Sequence, residues 1–217
     1  MLVLLPGIQA GLPEFERLRP LLGEHVALPL PDSTVDTLPA IAALVEAALP
    51  PGAHDLLGVS FGGLVAWALP KGRLRSLTTI GSLPYRTPAT ARSGQVGRML
   101  PMLPEGLYRR WYRRRIRASL ESDGADDELR LRVYEPPRDV LAARLRAIGG
   151  WALPPSPPVV ASWLWGATDP VVTWDYASVR AAGHEPNVLP GGHRPHLSHP
   201  SEVARWLRSV ATDPTGR

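Results

Sequence analysis

Three residues far apart in this chain, Ser60, Asp169 and His193, have the types that together attack a carbonyl carbon. Ser60 stands in Gly58-Val59-Ser60-Phe61-Gly62, a Gly-x-Ser-x-Gly match. Such a match is common by accident, and its meaning comes from its flanks. Leu56, Leu57 and Val59 read as a short buried strand, and the apolar run 64–69 reads as a helix that begins at once. A serine in so sharp a strand-to-helix turn takes a strained backbone, lifts its hydroxyl above the sheet edge and requires small residues two positions away on either side. Gly58 and Gly62 meet that requirement. The turn also aims the Phe61 N–H at whatever the hydroxyl attacks, aided by the positive end of the helix.

A serine hydroxyl is a poor nucleophile at neutral pH and needs a base beside it. The base in turn needs an acid that holds its tautomer and stabilises the imidazolium. Asp169 lies in Gly166-Ala167-Thr168-Asp169-Pro170, where the chain leaves an apolar strand. Its plainer role is an Asx-turn before Pro170. Asp32, in the loop after the second strand, is a distant second choice. Three histidines share one loop, His193, His196 and His199. His193 follows two glycines directly after the last strand, so its ring can swing over the sheet edge, and it is the preferred base. His196 and His199 lie nearer the final helix, where packing or capping is the plainer role. Three histidines so close could also bind a metal. With no acidic neighbour in the loop, no metal is expected, and no organic cofactor is implied.

The elements that must position these residues alternate. Residues 2–5 are a β-run followed by the tight turn Pro6-Gly7-Ile8-Gln9. Residues 14–22 form a short helix candidate with Pro20 as its weak point, and 26–30 a second strand. Thr37 has the side chain of an N-cap for a helix over 38–49. The strand and helix around Ser60 come next, then a strand over 74–80. Alternation of this kind predicts a parallel sheet with helices on both faces. Residues 84–155 break the rhythm. They hold amphipathic helical pieces near 94–103, 105–121, 125–134 and 137–149, which read as a helical insertion over the carboxyl edge of the sheet. The sheet resumes at 159–165, followed by a helix at 173–182, a strand at 187–189 and a closing helix at 200–211. The expected division is a core of 1–83 and 156–217 with 84–155 inserted as a lid. In open parallel sheets function gathers beyond the carboxyl ends of the strands, which is where Ser60, Asp169 and His193 all fall.

Composition narrows the alternatives. The 217 residues, 44% of them hydrophobic, suffice for one sizeable core. No run of about 18 apolar residues suggests a membrane span. The start, Met-Leu-Val-Leu-Leu-Pro-Gly, lacks the basic flank of a secretion signal. The chain has no cysteine, which removes disulfides and thiolate metal sites, and a cytoplasmic location is the default expectation. The net charge of +4 is too small to argue nucleic-acid binding.

Taken together, Leu56-Leu57-Gly58-Val59-Ser60-Phe61-Gly62-Gly63, Gly166-Ala167-Thr168-Asp169-Pro170-Val171-Val172 and Gly191-Gly192-His193-Arg194-Pro195-His196-Leu197 resemble the α/β-hydrolase superfamily with a helical lid. The layout is similar to small carboxylesterases, pimeloyl-carrier-protein methyl ester esterases among them. The resemblance implies an α/β fold with a mostly parallel sheet of about six strands. It implies a triad of Ser60, His193 and Asp169, in the order serine, acid, histidine along the chain. It also implies an oxyanion hole made by the backbone N–H groups of Ile8 and Phe61. The family usually has His-Gly where this chain has Pro6-Gly7. The activity implied is cleavage of an ester or thioester. A lyase, cyclase or acyltransferase on the same triad is the alternative, and a binding protein on the same scaffold a more distant one.

The densest charge run is Arg109-Arg-Trp-Tyr-Arg-Arg-Arg-Ile-Arg117. On a helix Arg109, Arg113 and Arg117 stack on one side with Arg110 and Arg114 beside them, while Tyr108, Trp111, Tyr112 and Ile116 take the other. The bland expectation is a lid helix with aromatics inward and arginines in water. The sharper one is a landing site built on Arg110, Arg114 and Trp111 for an anionic substrate or an acidic partner such as an acyl carrier protein.

Overall fold

The computed structural model describes residues 1–8, 11–82, 88–132, 134–151, 161–172 and 186–212. Six strands form one sheet: β1 (Leu2–Leu5), β2 (His25–Ala27), β3 (His54–Val59), β4 (Leu74–Ile80), β5 (Ala161–Gly166) and β6 (Pro186–Leu189). Their order is β2-β1-β3-β4-β5-β6, and every neighbouring pair is parallel.

The strands bury apolar residues on both faces of the sheet because both faces are covered. On one face Val3, Leu5, Leu56, Leu77, Trp163 and Trp165 pack against α1 (Leu38–Ala48) and α2 (Phe61–Trp67). On the other, Leu4, Leu57, Val59, Ile80 and Leu164 meet Phe15, Leu18 and the closing helix α8 (Pro200–Thr212). The helices α3 (Pro88–Met99), α4 (Glu105–Ser122), α5 (Asp127–Arg132) and α6 (Arg138–Gly149) all fall between β4 and β5. In α4 the buried residues Tyr108, Tyr112, Ile116 and Leu120 recur every fourth position, so one stripe faces a third core cluster. That cluster also holds Leu129 of α5, Leu141 of α6 and Leu197 of α7 (Pro195–Ser198).

Several boundaries differ from the sequence expectation. The second strand is short and starts one residue early. Leu28 still donates to the Leu4 carbonyl at 3.0 Å, but Pro29 has no N–H and the ladder stops. Instead of a helix over 14–22 there are two 3-10 turns, Leu12–Phe15 and Arg19–Leu21, each with a proline in its first positions. Thr37 does precede α1, yet its side chain makes no capping bond. The first helix after β4 begins at Pro88, not near residue 94, and packs on α6 where Gly94 meets Gly149. The short α7 was not expected at all. The helix expected at 173–182 lies outside the described residues. No helix among those described is long and apolar enough to cross a membrane.

Candidate active site

Ser60 is the link between β3 and α2, with φ 49° and ψ −113°. Among the described residues it is the only non-glycine with positive φ, a conformation held only when the surroundings enforce it. Three contacts do so. Its N–H donates to the Ile80 carbonyl at 2.7 Å. Its own carbonyl accepts the Ser82 hydroxyl at 2.6 Å and the Gly63 N–H at 3.0 Å. The neighbouring glycines are required by close approach. A Cβ on Gly58 would lie 2.5 Å from Gly63, and one on Gly62 would run into the Leu5 and Pro6 carbonyls. The turn is thus wedged between the ends of β1 and β4.

Asp169 and His193 are brought together. The His193 Nδ1 lies 2.8 Å from Asp169 Oδ2, and both side chains are almost fully buried. The other aspartate oxygen accepts the N–H groups of Val171 at 2.7 Å and Val172 at 2.9 Å. This is also an Asx-type turn, so the plainer role foreseen for Asp169 and its contact with His193 coexist in one carboxylate. The loops after β5 and β6 are stitched together by Ala167 N–H to the Leu189 carbonyl at 2.8 Å and Thr168 N–H to the Gly191 carbonyl at 3.0 Å. The His193 ring lies against Gly81, directly after the residue that holds the Ser60 N–H. Ser60 Oγ itself makes no hydrogen bond among the described residues.

In the turn after β1, the Gly7 N–H donates to Glu14 Oε2 at 2.6 Å. Neither the Ile8 nor the Phe61 N–H is bonded among the described residues. A Cβ on Gly7 would stand 3.7 Å from the Ser60 Cβ, so this turn borders the serine. The Ile8 carbonyl accepts from Arg144 Nη1 of α6 at 3.0 Å. The second terminal nitrogen of Arg144 reaches the Leu30 and Pro31 carbonyls at 3.2 and 3.1 Å and Asp32 at 3.4 Å. Asp32 is therefore a partner of Arg144, with no bond to a histidine among the described residues. His196 is fully buried against Phe15, and His199 bonds its neighbour Ser198 and opens α8 through its carbonyl.

Sequence reasoning missed the buried charges behind the site. The guanidinium of Arg194 donates to Glu14, Ser119 and Asp123. Burial pushes the Glu14 carboxyl above the usual range, against the pull of Arg194. The signal available was position alone, since Arg194 follows His193 directly. Trp111 is partly buried against the third core cluster. Arg110 and Arg114 line a surface groove of about 750 Å3 with Arg109, Arg113, Arg117 and one carboxylate, Glu121. That groove includes none of Ser60, Asp169 and His193, so the arginines and the candidate triad occupy different places. Arg109 pairs with Glu105 and Arg113 with Glu135, while Arg110, Arg114 and Arg117 pair with no carboxylate among the described residues.

Residues 2–206 match the model of the alpha/beta hydrolase family. The chain belongs to that family. No curated protein matches this alpha/beta hydrolase in sequence. Solved structures do match its fold. An esterase from Thermogutta terrifontis is 19% identical, with 97% of this chain and 89% of that one covered and a TM-score of 0.70. A carboxylesterase structure from Nitrososphaera gargenis is 14% identical, with 99% and 90% covered and a TM-score of 0.76. The enol-lactonase from Burkholderia xenovorans is 16% identical, with 98% and 91% covered and a TM-score of 0.72. At these identities the likeness is one of fold.

Proposed function

We propose that this alpha/beta hydrolase cleaves a carboxylic ester or thioester through Ser60, His193 and Asp169. The observation that carries the reading is the enforced positive φ of Ser60 at a strand-to-helix turn, its N–H held by Ile80, with the Asp169-bonded ring of His193 lying against the next residue, Gly81. The esterase and lactonase folds it resembles add support. In this reading Ser60 Oγ attacks the carbonyl carbon and His193 Nε2 takes its proton. The oxyanion faces the N–H groups of Ile8 and Phe61. The tetrahedral intermediate collapses, and the leaving alkoxide or thiolate receives that proton. Water, deprotonated by His193, then attacks the acyl-enzyme and frees the acid and Ser60. Serine–histidine bonds that are loose without substrate tighten in the loaded complex. The helices α3–α6 serve as the lid of this site.

Fluorophosphonate labelling tests the reading. Labelling of the wild type and not of Ser60→Ala is expected, with hydrolysis across a panel of nitrophenyl esters and acyl thioesters. Labelling without hydrolysis favours a lyase, cyclase or acyltransferase on the same triad. No labelling of either protein favours a binding protein.

Arg110, Arg114 and Arg117, unpaired among the described residues, support a further part of the reading, that the lid groove receives the anionic part of a substrate or an acyl carrier protein. Reversing Arg110 and Arg114 to Glu is expected to weaken turnover of a carrier-linked acyl thioester and flatten its salt dependence, while a small nitrophenyl ester is unaffected. Equal turnover of both substrates by the variant sinks this part.

A further inference from the structure

We propose that Arg194 is a positioning residue. Bonded to Glu14, Ser119 and Asp123, it locks the loop bearing His193 to the turn bearing Gly7 and Ile8 and to the end of α4, so that base, oxyanion donors and α4 are set as one unit. The inference rests on the hydrolase reading and extends it to residues that touch no substrate.

The contacts are directional and buried. Arg194 Nε donates to Glu14 Oε1 at 2.9 Å, and Nη1 donates to Asp123 Oδ2 at 2.7 Å and Ser119 Oγ at 2.9 Å. The Arg194 backbone N–H donates to the other Asp123 oxygen at 3.1 Å. One carboxylate at the end of α4 thus holds both the main chain and the side chain of the residue after His193. A Cβ on Gly192, the residue before it, would also meet Asp123. On the far side, Glu14 uses Oε2 for the Gly7 N–H at 2.6 Å. Gly7 lies between Glu14 and Ser60, since a Cβ on it would stand 3.4 Å from Glu14 Oε1 and 3.7 Å from the Ser60 Cβ. With Pro6 lacking an N–H and the Gly7 N–H taken by Glu14, the Ile8 N–H is left to face a substrate oxygen.

Net stability is a weak explanation for this cluster. A buried ion pair contributes little beyond what well-packed apolar groups would. A guanidinium fork does fix the orientation of several partners at once.

The test compares wild type with Arg194→Met, Arg194→Lys, Glu14→Gln, Asp123→Asn and Ser119→Ala. The readouts are kcat and KM on a nitrophenyl ester, the rate constant of fluorophosphonate labelling, and Tm. All rates are taken well below the lowest Tm. Arg194→Met and Glu14→Gln are expected to lower kcat and the labelling rate together by about 10–100-fold, the scale of a small misplacement of reacting groups, with KM nearly unchanged. Arg194→Lys is expected to recover part of the loss. Ser119→Ala removes one neutral acceptor and is expected to cost about threefold. If every variant lowers Tm alone and keeps wild-type rates, the cluster is merely structural and the proposal is overturned. Should Arg194→Met fail to fold, Asp123→Asn and Ser119→Ala decide by the same criterion. If wild type is not labelled, or Ser60→Ala is labelled equally, the hydrolase reading itself has failed and this inference falls with it.

Discussion

The imidazole of His193 rests against Gly81 so closely that a β-carbon there would lie 2.9 Å from Cε1 and 3.0 Å from Nδ1. Gly81 also has φ +60°, a region that costs a residue with a side chain about 1–2 kcal/mol. Gly81→Ala is therefore expected to push the ring off Asp169. We expect kcat to fall by at least about tenfold, on the scale of a displaced catalytic group. Steady-state kinetics with a melting curve check this, because a loss of Tm at unchanged kcat contradicts it.

Asp169 divides its two oxygens between His193 and the Val171 and Val172 amides. In Asp169→Asn the carboxamide oxygen can keep both amides, which turns its NH2 toward Nδ1. The imidazole must then carry its proton on Nε2, where it cannot accept one from Ser60. The expected loss is about 10,000-fold in kcat with the fold intact, read from kcat and circular dichroism of the same preparation.

His196 predicts an acid-sensitive fold. Burial, together with the charges of Arg194 and His193, drives its pKa down to about 3. Both ring nitrogens lack hydrogen bonds among the described residues, and the nearest carboxylate oxygen, on Glu14, is 3.9 Å away. The folded pKa lies below the unfolded value of about 6.5, so neutral His196 contributes stability that is complete above that pH. The contribution fades as pH falls from about 6.5 toward 3, by about 2 kcal/mol on reaching pH 5. His196→Phe, which places a second ring beside Phe15, is expected to flatten Tm against pH between neutrality and pH 5. An unchanged slope in denaturant titrations counts against it.

The sheet was legible because its strands carry apolar residues that are buried on both faces and have glycine or proline close by, although β4 interleaves Arg75, Ser76, Thr78 and Thr79 among them. The loops bearing Ser60, Asp169 and His193 were legible for a related reason. Ser60, Asp169 and His193 each stand one to four residues past a strand, and the glycines around them mark close backbone approach. Residues 14–22 misled because apolar spacing suggests a helix, while Pro20 interrupts it and two 3-10 turns form instead. Glu14, Asp123 and Arg194 were invisible for a deeper reason. Each reads as an ordinary surface charge in a chain where Lys71 is the only lysine and arginine is plentiful. Their meaning comes from contacts across 71 and 180 positions of sequence, which no local pattern encodes.

The grip of Arg144 on the Ile8, Leu30 and Pro31 carbonyls has a thermal consequence. One side chain of α6 holds two crossings at the top of the sheet, and nothing in the strand ladders depends on it. Gentle warming that frees α6 would slacken the rim while the ladders stay whole. Heat inactivation is thus expected to begin at a lower temperature than the loss of far-ultraviolet ellipticity, and Arg144→Met to widen that interval. A catalyst of this build falls silent before it melts.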